Sequence, residues 1–224
     1  MKPEPKAAPG PKRKPILMVS SAVYGFEELL DRIYAELAGP DFNFEVWMSH
    51  KGTMPVYPEL NALENCREAV KKCDLFLGII LPRYGSGVEE DGGDSITHEE
   101  LRWAIHLNTP RWILAHDHVF FARTFLEKLG YDSAEKRSDL KLKPSPVFQD
   151  LRAIDMFETA TRHDITLYRE RTGNWVQKFS SPEDAQLFAV SQFRRFQEAE
   201  QFIRDSFADQ QAIENAIREK GDKL

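Results

Sequence analysis

The chain lacks any long apolar run. None of its hydrophobic stretches approaches the roughly 18 residues that a membrane-spanning helix needs, so no membrane association is expected. The opening segment MKPEPKAAPGPKRKP has no apolar centre of the kind a secretory signal carries. It holds five Lys or Arg, one Glu and five prolines, the composition of a disordered basic tail over residues 1–15. That tail reads as a solvated tether, with a nucleic-acid or membrane contact as the alternative. Cysteine is nearly missing: the two thiols, Cys66 and Cys73, are too few for a disulfide framework and stand at no metal-ligand spacing. A reducing, cytoplasmic setting is the default. Basic charge is not in excess either. Lys and Arg number 30 against 36 Asp and Glu, for a net charge of −6. That balance argues against nucleic acid as the main partner.

What is present suits a soluble domain with an appendage. The 224 residues are 42% hydrophobic and 29% charged, enough to bury a real core. Ile16–Ser20 is a short apolar strand ending in a small polar turn, Ser20 to Gly25. Phe26–Leu37 repeats apolar residues at helical spacing and stops at Gly39-Pro40. Phe42–Met48 alternates as a second strand, and residues 59–72 form the next helix. Arg111–Ala115 is a fourth strand and Phe120–Leu129 a short helix. Residues 131–146 read as a charged excursion, followed by a helix over Val147–Ala160. Ile165–Arg169 supplies a polar fifth strand at an edge, and Gly173–Phe179 a turn with a short extended piece. Ser181, Pro182, Glu183 and Asp184 start a final helix that runs to about residue 218. Part of its apolar surface must pack on the domain. The distal part projects or pairs with another chain. Alternating strands and helices imply a parallel sheet with helices on both faces.

The stretch 73–110 organises the rest. Leu75–Leu81 is continuously apolar, as in a strand covered on both faces. Then come Arg83, Tyr84, Gly85, Ser86 and Gly87, an acidic patch over Glu89–Asp94, and a helix carrying Glu99 and Glu100 near its start. In an open parallel sheet, ligands bind at the carboxyl ends of the strands, where this loop must lie.

Each motif has two readings. Thr97-x-x-Glu100 fits a capping box, and Glu100 equally fits a site carboxylate. Arg83 suits a phosphate and Tyr84 a base or ribose, while the glycines suit a structural turn. Ser20 and Ser21 can donate to a ligand or satisfy strand-end backbone groups. His98-Glu99 does not open a zincin helix, because the second His position holds Arg102. His116-Asp117-His118 has metal-binding residue types but no further ligand at matching spacing, so no metal is expected. Cys66 and Cys73 read as buried thiols.

The segments VSSAVYGFEELLDRI, CREAVKKCDLFLGIILPRYGSG and DSITHEELRWAIHLNTPRWIL resemble the bacterial family known as domain of unknown function 4062. That family is similar to the TIR and nucleoside 2-deoxyribosyltransferase group. The resemblance covers about residues 14–130, with RTGNWVQKFSSPEDAQLF similar to a follow-on segment. It implies a flavodoxin-like (TIR-like) sheet of order 2-1-3-4-5 spanning residues 16–180, with a C-terminal helical extension over 181–224. In the wider group, a Glu four residues before a small Ala is catalytic. Here that is Glu100 before Ala104, with Glu99 out of phase. The resemblance implies a pocket of Ser20, Ser21, Tyr24, Arg83, Tyr84, Gly85 and Ser95. The implied ligand is a nucleotide, with NAD as a substrate cleaved at its nicotinamide–ribose bond and no resident cofactor. The alternative is a self-associating, non-enzymatic module, forming homo-oligomers in a defence or signalling complex. No Asp-rich base-binding pattern is present, so nucleobase exchange is not expected.

Overall fold

The computed structural model describes residues 13–87, 93–141, 143, 145 and 147–221, with side chains to residue 201. The first twelve residues of the basic tail, the acidic run 89–92, Pro144, Pro146 and the side chains of Ile203, Phe207 and Ile217 lie outside that description. The elements run β1 (Ile16–Ser21), α1 (Glu27–Leu37), β2 (Glu45–Trp47), α2 (Ala62–Lys72), β3 (Leu75–Ile80), α3 (Ile96–His106), β4 (Arg111–His116), α4 (Asp117–Lys128), α5 (Ala134–Ser138), α6 (Arg152–Ala160), β5 (Val176–Phe179) and α7 (Pro182–Gly221). The strands form one all-parallel sheet of order β2-β1-β3-β4-β5. This is the flavodoxin-like order, whose switch point lies between β1 and β3.

Strand alternation divides the core into two layers. Met18, Phe76, Ile80, Ile113 and Ala115 face α2, α3, α4 and α6. Leu17, Val19, Leu75, Leu77, Ile79 and Leu114 face α1 and α7. Each central strand is therefore buried on both sides, which is why it reads as an unbroken apolar run. The first turns of α7 complete the second layer: Ala185, Ala189 and Phe193 are buried there. Ser181 Oγ accepts the Asp184 amide at 3.2 Å, so the serine does cap this helix. Arg32 of α1 pairs with Glu183 and ties the two helices together.

Several expectations need correction. The fifth strand is Val176–Phe179, paired to β4 from Ile113 to His116. Residues 165–169 instead run through loop into a 3-10 turn at Tyr168–Glu170. β2 keeps only Glu45–Trp47, because β1 offers it just Ile16 to Met18 as partners. α2 starts at Ala62, where Asn61 and Glu64 form a reciprocal capping box. α4 begins directly after β4, at Asp117. α6 begins at Arg152 rather than Val147, since the Asp150 carboxylate accepts the Arg152 amide at 2.9 Å. The excursion is anchored: buried Arg137 lies 2.6 Å from both Asp155 Oδ1 and Glu158 Oε2 on α6. Removing one partner of such a buried group costs about 3–5 kcal/mol.

Candidate functional site

Two chemically different places adjoin the switch point. The first is a sealed carboxylate. Ser20 follows Met18 by two residues, so its side chain points to the α2 and α3 face. There Ser20 Oγ donates to Glu100 Oε2 at 2.5 Å. A hydrogen bond from Cys66 on α2 also reaches this carboxylate. Glu100 is only 7% exposed. Its burial raises its pKa above the ordinary value, against the opposing bonds from Ser20 and Cys66. Burial likewise raises the Cys66 thiol, helped by the neighbouring Glu100 charge. Ser21 points the other way, and its Oγ donates to the Ala22 carbonyl at 2.9 Å.

The capping box at Thr97 is not formed. Ser95 is the N-cap of α3: its Oγ accepts the His98 amide at 3.3 Å. Glu100 therefore lies beyond the first turn, where it points inward beside Leu101 and Ala104. The glycines of the preceding loop have a packing reason. Gly87 has φ +80, and a Cβ there would overlap the Ile96 side chain. Gly85 has φ +95, and its Cβ would meet Thr97 Oγ1 at 3.2 Å. The loop thus presses onto the start of α3.

The second place is an open cleft of 310 Å³, lined by Ala22, Tyr24, Arg83, Tyr84, Gly85, Ser86, Gln149 and Asp150. Glu100, Ser20, Ser21 and Ser95 are not among its walls. Arg83 lies against the β1–α1 turn, where a Cβ on Gly25 (φ +81) would come within 3.1 Å of Nη2. Among the described residues Arg83 makes no hydrogen bond or ion pair, although Glu27 feels its charge. Tyr24 is 71% exposed at the rim. Tyr84 is different. It is buried, its ring carries the Arg152 guanidinium 4.6 Å from the centroid, and its hydroxyl meets Asp94 Oδ1 at 2.8 Å and His98 Nδ1 at 2.6 Å. Burial alone would raise the Asp94 carboxyl, but His98, Tyr84 and Arg102 hold it well below the usual carboxylate range.

Sequence reasoning missed Gln149 and Asp150. They arrive from a remote segment through the Gln149 amide, which donates to the Pro82 carbonyl at 2.9 Å. No motif signals that contact. The buried His98, bridging Tyr84 and Thr159 Oγ1 at 2.9 Å, was considered only as a zinc ligand. Further along the same edge of the sheet, His116, Asp117 and His118 bring one ligand atom each within 4.8 Å of one another. Burial, then His118, holds the His116 imidazole below its ordinary pKa, with Asp117 opposing.

Fold and site together define a flavodoxin-like α/β domain with a polar cleft at the switch point and a sealed carboxylate beside it. The sequence model of the family described as Domain of unknown function (DUF4062) matches residues 17–220, and the chain belongs to that family. No curated protein and no solved structure matches the chain. Among the described residues, no helix is long and apolar enough to cross a membrane.

Proposed function

We propose that the chain is a TIR-like nucleotide-binding domain, with NAD as the leading ligand. The observation that carries this reading is Arg83, a guanidinium without a partner among the described residues, at the wall of a switch-point cleft. Such a group suits a phosphate or pyrophosphate, which it can grip with two parallel hydrogen bonds. Tyr24 offers an exposed ring for a base. Glu100 is the proposed carboxylate for cleavage of the nicotinamide–ribose bond. It would stabilise the oxocarbenium-like centre that forms as the N-glycosidic bond breaks. Because Glu100 stands outside the cleft walls, turnover requires a rearrangement that uncovers it, for which self-association is the proposed trigger. The test is release of nicotinamide from NAD by the purified chain, at dilute and at high protein concentration. Release at high concentration supports the reading. Absence of both release and nucleotide binding overturns it.

A second reading is a non-enzymatic self-association module. The burial of Glu100 behind Ser20 favours it, as does the length of α7, which runs for 40 residues. Sedimentation analysis over a wide concentration range, paired with titration of NAD, separates the two, because a module that only assembles shows association without nucleotide binding.

A further inference from the structure

The geometry points to a site for a divalent transition-metal ion held by His116, Asp117 and His118 at the carboxyl end of β4. The three residues form the junction of β4 with the first turn of α4. Asp117 Oδ1 is buried and has no hydrogen-bond partner. It lies 3.0 Å from His116 Nδ1 and 3.9 Å from His118 Nε2. His116 Nδ1 accepts the His118 amide at 3.2 Å, so in this arrangement it carries a lone pair rather than a proton. A carboxylate oxygen beside a lone pair, with no donor between them, is repulsive. A cation placed between them converts both atoms into ligands.

The outer contact of His118 supports the same assignment. Its Nδ1 lies 3.1 Å from the Val147 carbonyl, which can only accept. That bond puts the proton on Nδ1, leaves the lone pair on Nε2 and fixes the ring, as in metal-ligating histidines. Bonds of about 2.0–2.1 Å in a tetrahedral site place ligand atoms roughly 3.3 Å apart. One ligand atom from each of the three residues already lies within 4.8 Å of the others, and the half-exposed His118 ring has room to close the difference. Binding through His116 Nδ1 displaces one long helix-cap bond. Two imidazoles and one carboxylate suit zinc, cobalt or nickel rather than magnesium or calcium. The exposed side of His118 leaves a coordination position for water. None of this depends on the nucleotide reading, since no ligand of the metal lines the Arg83 cleft.

The test is titration of cobalt(II) into the full chain after chelator treatment, read by visible absorption and followed by zinc competition. Saturation near one equivalent, with d–d bands that zinc abolishes, is the expected result. His118→Ala and Asp117→Asn should each weaken binding by at least about tenfold. His163→Ala should leave it unchanged. Thermal melting of the metal-free variants checks folding, and zinc should raise the melting temperature of the unaltered chain and of His163→Ala more than that of either ligand variant. Absence of saturable bands, or equal binding by either ligand variant, overturns the site. A sulfur-to-cobalt charge-transfer band would place the ion on Cys66 or Cys73 and overturn it as well.

Discussion

Glu100 and Arg83 stand near the same switch point yet live in opposite environments. The carboxylate is sealed between β1, α2 and α3, bonded to Ser20 and Cys66, with its charged form disfavoured. The guanidinium stands at an open cleft and has no ion pair among the described residues. The difference teaches where binding and chemistry divide. Under the nucleotide reading, affinity for an anion would fall to the accessible side. Bond cleavage would fall to a carboxylate that must first be uncovered and ionised.

The sharpest break between the two sides is Glu100→Gln. Gln keeps the shape and can still accept from Ser20, but it cannot carry a negative charge. If Glu100 is catalytic, NAD turnover should fall by about a hundredfold or more, with binding retained. Glu99→Gln is the matched control, because Glu99 is out of phase on the same helix. Equal loss in both variants would reduce the effect to local electrostatics and remove Glu100 from the mechanism. Ser20→Ala acts on the same sealed side without touching the cleft. Loss of the donor to a buried carboxylate should cost about 1–3 kcal/mol in chemical denaturation.

The pH dependence of stability separates the sites more finely. The folded pKa of Glu100 is raised above its ordinary 4.5, so folding binds a proton there. Its contribution is full below that pH and is lost as pH rises through the folded pKa. Asp94 has the opposite sign: its folded pKa is lowered from 3.8, so its contribution is full above that value and is lost on acidification through the folded pKa. Melting temperature against pH should therefore flatten on its alkaline side in Glu100→Gln and on its acid side in Asp94→Asn. An unchanged alkaline limb in Glu100→Gln would mean that the carboxylate is not sealed. The smallest expected effect is on the open side: Arg83→Ala should change stability by less than about 0.5 kcal/mol, since no ion pair is broken.

The fold was legible where the sheet is buried on both faces. β1, β3 and β4 are apolar runs, and the Ser181–Asp184 start of α7 is a local cap that needs no tertiary context. Edge elements were not. Ile165 and Leu167 alternate better than Val176–Phe179 does, yet pairing with β4 selects the latter, a choice made by the neighbouring strand. At the start of α3 the Thr97-x-x-Glu100 pattern pointed to Thr97 as the cap. The packing of Gly85 and Gly87 against Ile96 and Thr97 decides for Ser95. Arg83 was visible as a loop cation after a buried strand. That Glu100 is sealed was not visible, because the Ser20 and Cys66 contacts join three separate elements. Gln149 and Asp150 reach the cleft through one long-range backbone bond, which leaves no trace in local pattern.

The most direct test of a nucleotide-binding cleft is calorimetric titration of NAD into the unaltered chain and into Arg83→Ala. The nucleotide reading predicts saturable binding to the former. It predicts affinity at least about tenfold weaker in the variant, as loss of a charge-assisted hydrogen bond implies, with both proteins melting at the same temperature. No binding by the unaltered chain, or equal affinity in the two, would contradict it.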